Sequence, residues 1–298
     1  MSCFRDLLKK YQYSLTEPDL DRSANIRFIH QKPKFGNIGD DLCSLKHYFN
    51  FKAKNRINIF GGGVEDQFYL KKINQLDLDI SKSILWAVGQ SIKNPPQPHF
   101  ISTLTFPFWG LRDIDSVEHA HFLPCVSCLH PMLDLPQTNS NKFIFLNFDK
   151  KVTDKQGQKL IQDKFPEYHF LYNNCSIDTF IETFQKTSHI ITNSFHGTYW
   201  GLLAGKTVTL IGYSSKFNSL YKMFNLDPKN ILQVSRRNCA ELLNAIEIAS
   251  TGVYDQQLQD SIIFKRKFRE LNMNFVTQLQ ASGLFDSIEL KNGTRNAQ

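Results

Sequence analysis

The sequence has no apolar run long enough to cross a bilayer. Its longest, Ile84–Val88 and Val208–Ile211, fall far short of the ~20 residues that a spanning helix needs. The opening segment, MSCFRDLLKK, lacks the apolar stretch and small-residue cleavage site of a secretory leader, so a cytoplasmic location is expected. There is no disulfide framework either. Six cysteines, at positions 3, 43, 125, 128, 175 and 239, are scattered through a long chain, and reduced thiols are expected. Cys125-Val-Ser-Cys128 has metal or redox spacing, but no second pair completes it in sequence, so it reads as structural and no metal is expected. The carboxylates and histidines show no HExxH spacing, and no internal repeat of 20–50 residues is visible.

What the chain does have is a globular composition. Hydrophobic residues make up 41% and charged residues 21%, which excludes wholesale disorder, collagen and coiled coil. Its 298 residues suffice for two domains of about 100–150 residues each. Lys+Arg 35 against Asp+Glu 28 leaves a net charge of +7, which favours small anionic partners. No basic stripe with interleaved stacking aromatics supports nucleic-acid binding outside Phe264–Arg269. The densest basic cluster, Lys265, Arg266, Lys267 and Arg269, lies on a helix whose apolar face is Phe264, Phe268, Leu271, Phe275 and Leu279. It reads either as a solvated helix face or as a peripheral contact with anionic lipid.

Strand-like apolar runs alternate with helical segments in two halves. In the first, strands are expected at Ile26–Ile29, Ile57–Phe60 and Ile84–Val88, with a helix at Asp40–Phe49. In the second, strands at Phe143–Phe148, Tyr168–Leu171, His189–Thr192 and Thr207–Ile211 alternate with helices at Asp154–Lys164, Ile177–Gln185 and Phe195–Ala204. The polar stretch Asp134–Asn141 is the expected linker. This pattern predicts an α/β fold of two Rossmann-like domains facing a cleft, 1–135 and 136–298, with the C-terminal helix packing back on the first.

Ligands in such sheets sit beyond the carboxyl ends of the strands, and the informative segments fall there. Gly36-Asn37-Ile38-Gly39-Asp40 follows the first strand; it reads equally as a ligand loop and as a turn with a helix cap. Gly61-Gly62-Gly63 ends the second strand abruptly, and three glycines carry an entropic cost that a plain turn does not require. Arg112, after the aromatic stretch Phe106–Trp109, has the fork that binds a carboxylate or phosphate, or else pairs with Asp113 or Asp115 at the surface. Thr192-Asn193-Ser194-Phe195-His196-Gly197 places Ser194 and His196 in the first turn of a helix, where N–H groups attract anions and a His can donate a proton. Lys216, after the next strand, is expected to face the same cleft.

In this order, Gly36–Asp40, Gly61–Gly63, Gly89-Gln90-Ser91, Arg112-Asp113, Ser194-Phe195-His196-Gly197 with Ala204-Gly205-Lys206, and Tyr213-Ser214-Ser215-Lys216 resemble the polysaccharide pyruvyl transferase family. Many members carry Arg two residues before the motif His, where this chain has Ser194; the Ser-Phe-His-Gly form is similar to another branch. The resemblance implies a GT-B-like fold and transfer of the pyruvyl group of phosphoenolpyruvate onto two hydroxyls of a saccharide as a cyclic ketal. Phosphoenolpyruvate is a co-substrate, and no cofactor is implied. The acceptor in such pathways is often lipid-linked, at the cytoplasmic membrane face. Carried onto the matching positions, His196, Arg112 and Lys216 form the catalytic set: the two cations hold the donor, and His196 is general acid or phosphate ligand. Asn37, Asp40, Gly61, Gly62, Gly63, Ser91, Ser194, Gly197 and Ser215 shape the substrate sites, with Asp40 a base for a sugar hydroxyl. Two other readings compete: a GT-B glycosyltransferase using a nucleotide sugar, and a non-catalytic sugar- or anion-binding protein.

Overall fold

The computed structural model describes residues 25–29, 36–61, 63, 78–89, 106–115, 118, 121–136, 141–148, 155–235 and 238–291. Among them the chain is a mixed α/β protein with 7 α-helices and mostly parallel strands. Strands β1 (Ile26–Ile29), β3 (Ile57–Gly61), β4 (Ser83–Val88) and β5 (Phe108–Leu111) form one parallel sheet in that order. Every residue of β3 and β4 is buried. That two-sided burial is why these strands read as unbroken apolar runs.

The second sheet has the order β10-β9-β8-β6-β7, from β6 (Asn141–Leu146), β7 (Tyr168–Tyr172), β8 (Thr187–Thr192), β9 (Thr207–Gly212) and β10 (Leu232–Gln233). All its pairings are parallel. Counted from β6, this is the doubly wound order 2-1-3-4-5, whose chain reverses direction between β6 and β8. Helices α2 (Lys155–Lys164), α3 (Ile177–Gln185), α4 (Phe195–Leu203), α5 (Ser215–Met223) and α6 (Cys239–Ser250) connect or follow its strands. The expected start of α2, Asp154, lies outside the described residues.

The helix expected over Asp40–Phe49 is a correction. A single turn, α1 (Ile38–Asp41), is followed by a 3₁₀ turn at Leu45–His47 and then by strand β2 (Phe49–Lys52). β2 pairs antiparallel with β11 (Ser287–Leu290), more than two hundred residues away. Helical periodicity could not anticipate this partner, whose ladder overrides local propensity. The long helix α7 (Ser261–Ala281) leads to β11 and carries the expected apolar face, with Phe268, Phe275 and Leu279 buried. Asn272, fully buried on the same helix, accepts a hydrogen bond from Trp86 Nε1 at 2.8 Å, and Phe275 packs edge-on against Trp86 at 4.8 Å. One hydrophobic cluster therefore runs through β3 and β4, the Cys125–Cys128 turn, α4 and α7.

Asp134, placed in the expected linker, is an anchor. Arg269 grips it with two hydrogen bonds, at 3.2 and 2.6 Å, and Lys265 reaches it at 2.9 Å. Burial raises the Asp134 carboxyl, but these cations outweigh it and hold the group below its ordinary value. Two members of the basic cluster are thus engaged within the chain, and Arg266 lies 3.8 Å from Glu270. No helix among the described residues is long and apolar enough to cross a membrane.

Lys206 follows a different logic. It is 2% exposed, donates to the Thr187 carbonyl at 2.5 Å and lies 4.5 Å over the Phe184 ring. Burial lowers its pKa from 10.5 to about 8. Between those values the unfolded chain holds a proton that the folded chain has lost, so stability rises with pH across that window. Lys206→Met is expected to stabilise the protein at pH 7 by up to about 3 kcal/mol, with the gain shrinking as pH rises from 8 to 10.5. Urea unfolding of both proteins at neutral and alkaline pH checks this; a gain that does not change with pH contradicts it.

Candidate active site

The carboxyl ends of strands from both sheets meet, and most of the expected site residues lie there. Arg112 directly follows β5, Ser194 and His196 follow β8, and Lys216 opens α5 after β9. β8 flanks the point where the second sheet reverses, which is where doubly wound sheets bind ligands. Asparagines fix the loops. Asn147, after β6, accepts from Asn173, after β7, and donates to the Asn193 carbonyl and to Tyr213 Oη at 2.7 and 3.0 Å. The Asn173 carbonyl accepts the Ile38 N–H at 2.8 Å, which ties the Asn37 loop to the second sheet. Lys216 Nζ reaches Tyr213 Oη at 3.4 Å. These asparagines were not among the expected residues; a polar residue just past each of three strand ends is the signal that could have found them.

Asn37 caps α1, accepting from the Gly39 and Asp40 N–H groups. Its amide also donates to the Asp40 carboxylate at 2.7 Å. Burial raises the Asp40 carboxyl above its ordinary value, and interactions with His196, Lys216 and Arg112 oppose that shift. Asp40 therefore lies within electrostatic reach of the whole expected catalytic set. Ser194 caps α4 by accepting from Gly197 at 3.3 Å, and Ser215 is the buried first residue of α5.

Arg112 is not the surface pair that its neighbours allowed. It is 1% exposed, its guanidinium carbon stands 4.0 Å over the Phe195 ring, and neither Nε nor Nη1 has a hydrogen-bond partner. Asp115 turns instead to Ser219 and Lys222, at 2.6 and 3.0 Å. Unpaired buried donors are costly, which makes this guanidinium a candidate anion ligand. Gly89 makes room for it: a Cβ there would lie 2.3 Å from Arg112 Nε. Next to it, Ala87 sits at φ 53 where the β4–β5 register shifts, a bulge that re-aims the strand end.

His196 is held from the other side. Its Nε2 lies 2.9 Å from Cys43 Sγ and 3.7 Å from Cys125 Sγ, and the two sulfurs are 3.3 Å apart. A Cβ on Gly39 would fall 2.3 Å from His196 Nδ1, so only glycine fits between imidazole and loop. The thiols share their protons unequally. Burial and the bond to Cys125 push Cys43 well up. Burial also raises Cys125, but bonds to Cys43 and His196, and the contact with Ser127, more than offset this and hold it well below the usual thiol range. Cys128, read with Cys125 as structural, points elsewhere: it accepts from Asn272 at 3.5 Å, and burial pushes it up to about 12. Cys43 was missed because its partners lie far along the chain.

Other expected residues have packing roles. A Cβ on Gly61 would meet Leu45 Cδ1 at 2.9 Å, and one on Gly197 would meet Phe145 Cδ1 and Thr192 Oγ1 at 2.7 Å. Gly63 has φ +77 and accepts the Gly89 N–H at 3.4 Å, a backbone duty that accounts for the glycine. Gly62 and Ser91 lie outside the described residues. Lys206, at the opposite ends of the strands, takes no part. No family model matches the chain, and no curated protein matches it.

Proposed function

We propose that the chain is a pyruvyl transferase that moves the three-carbon unit of phosphoenolpyruvate onto two hydroxyls of a saccharide. In this reading the parts 1–135 and 136–298 act as two Rossmann-like domains of GT-B type, holding acceptor and donor respectively. The observation that carries it is the buried Arg112 guanidinium with two unpartnered N–H groups, set with Lys216 around the raised Asp40 carboxyl. A dianionic donor with a carboxylate and a phosphate fits two cations on facing strand ends.

The chemistry follows from the groups present. Arg112 and Lys216 hold the carboxylate and phosphate. His196 donates a proton to the donor methylene, and positive charge develops at C2. Asp40 takes the proton of the first attacking hydroxyl. The C–O bond to phosphate breaks, phosphate leaves, and the second hydroxyl adds to C2 with loss of its proton, closing the ketal. The acceptor is a cell-surface polysaccharide unit or its lipid-linked precursor, met at the inner face of the cytoplasmic membrane.

Thermal unfolding tests the donor. Phosphoenolpyruvate at 100 times its Kd is expected to add ~2.7 kcal/mol of stability and raise Tm, with UDP, UDP-sugars and inorganic phosphate as controls. A shift with nucleotides and none with phosphoenolpyruvate overturns the reading in favour of glycosyl transfer.

A further inference from the structure

Cys43, Cys125 and His196 stand on three separate elements: the turn after α1, the segment before the Val126–Leu129 turn, and the first turn of α4. All three side chains are buried, and their donor atoms lie within 4.8 Å of one another. We infer that they form a zinc site of two thiolates and one imidazole, with a fourth position open to water.

Magnitudes favour a metal over a disulfide. Tetrahedral bonds of about 2.3 Å to sulfur and about 2.0 Å to nitrogen place ligand atoms roughly 3.5–3.8 Å apart. The separations here are 3.3, 2.9 and 3.7 Å, so the triangle opens by about half an ångström to admit the ion. A disulfide needs the sulfurs, now 3.3 Å apart, to close to about 2.05 Å, more than twice that movement. The donor set is soft to borderline, which suits zinc over magnesium or calcium.

An outer layer orients Cys125, as metal sites require. Ser127 Oγ lies 3.1 Å from Cys125 Sγ while accepting from Trp200 Nε1 at 2.9 Å. Tyr199 Oη donates to the Cys125 carbonyl at 2.9 Å, and the thiol bond from Cys43 to the Gly39 carbonyl, at 3.0 Å, is given up when the thiolate forms. On binding, two Zn–S bonds and one Zn–N bond form, and the thiol protons pass to solvent. The ion fixes the His196 ring with Nδ1 towards the Gly39 loop. The inference does not depend on phosphoenolpyruvate being the donor.

The test is elemental analysis of full-length protein purified under reducing conditions without chelator. One equivalent of zinc per chain is expected, lost in Cys43→Ser and in Cys125→Ser and kept in Cys128→Ser. Competition of the wild-type apoprotein for zinc against a chromophoric chelator gives the affinity without relying on a variant's folding; Ser127→Ala should weaken it by about 10–100-fold. Cobalt bound in place of zinc should show thiolate charge-transfer absorption. A wild-type protein that neither retains nor takes up zinc overturns the inference, as does full retention in both cysteine variants or a Cys43–Cys125 disulfide in the protein as isolated.

Discussion

Arg112→Met is expected to abolish the protein's response to the donor. The guanidinium is 1% exposed and two of its nitrogens lack partners, beside the buried carboxylate of Asp113. Removing one partner from a buried, charge-assisted contact costs about 2–5 kcal/mol of binding, so phosphoenolpyruvate affinity should fall by at least about 30-fold. Denaturant unfolding with and without the donor reads the effect. A purely structural arginine gives an unchanged ligand shift on substitution.

Asp40→Asn is expected to lower kcat by about 10²–10⁴ with little change in donor KM. The carboxylate must be ionised to accept a hydroxyl proton. Burial raises its pKa above the ordinary 3.8, so kcat/KM should fall on the acid side at a higher pH than an ordinary Asp would give. The sign can be checked internally. Lys216 is one of the charges holding Asp40 down, so Lys216→Met should move the acid limb to higher pH as well as raising the donor KM. Phosphate release from phosphoenolpyruvate with an acceptor saccharide measures all three. An acid limb that stays put in both variants removes Asp40 from proton transfer.

The parallel sheets were legible because buried strands announce themselves as apolar runs. Phe143–Leu146 and Val208–Ile211 lie within β6 and β9, and the strand-to-helix turn at Ser194 is capped as its residue types require. Parts of the candidate site were legible for the same reason: Arg112, His196 and Lys216 each sit just past a strand, the end of the sheet at which such folds bind ligands. Three things were not. β2 depends on β11, a partner that no local window contains. The thiol–imidazole cluster joins Cys43, Cys125 and His196 across the chain, whereas sequence spacing pointed to Cys125 and Cys128. Glycines 39 and 89 looked like flexible loop elements, but each is small because a large side chain, His196 or Arg112, lies against it.

Titration calorimetry of phosphoenolpyruvate into the wild type, Arg112→Met and Asp40→Asn reads donor binding apart from turnover. One donor per wild-type chain is expected, with loss of measurable binding in Arg112→Met and near-normal binding in Asp40→Asn. Equal binding by wild type and Arg112→Met, or none by the wild type, overturns the assignment of phosphoenolpyruvate as donor.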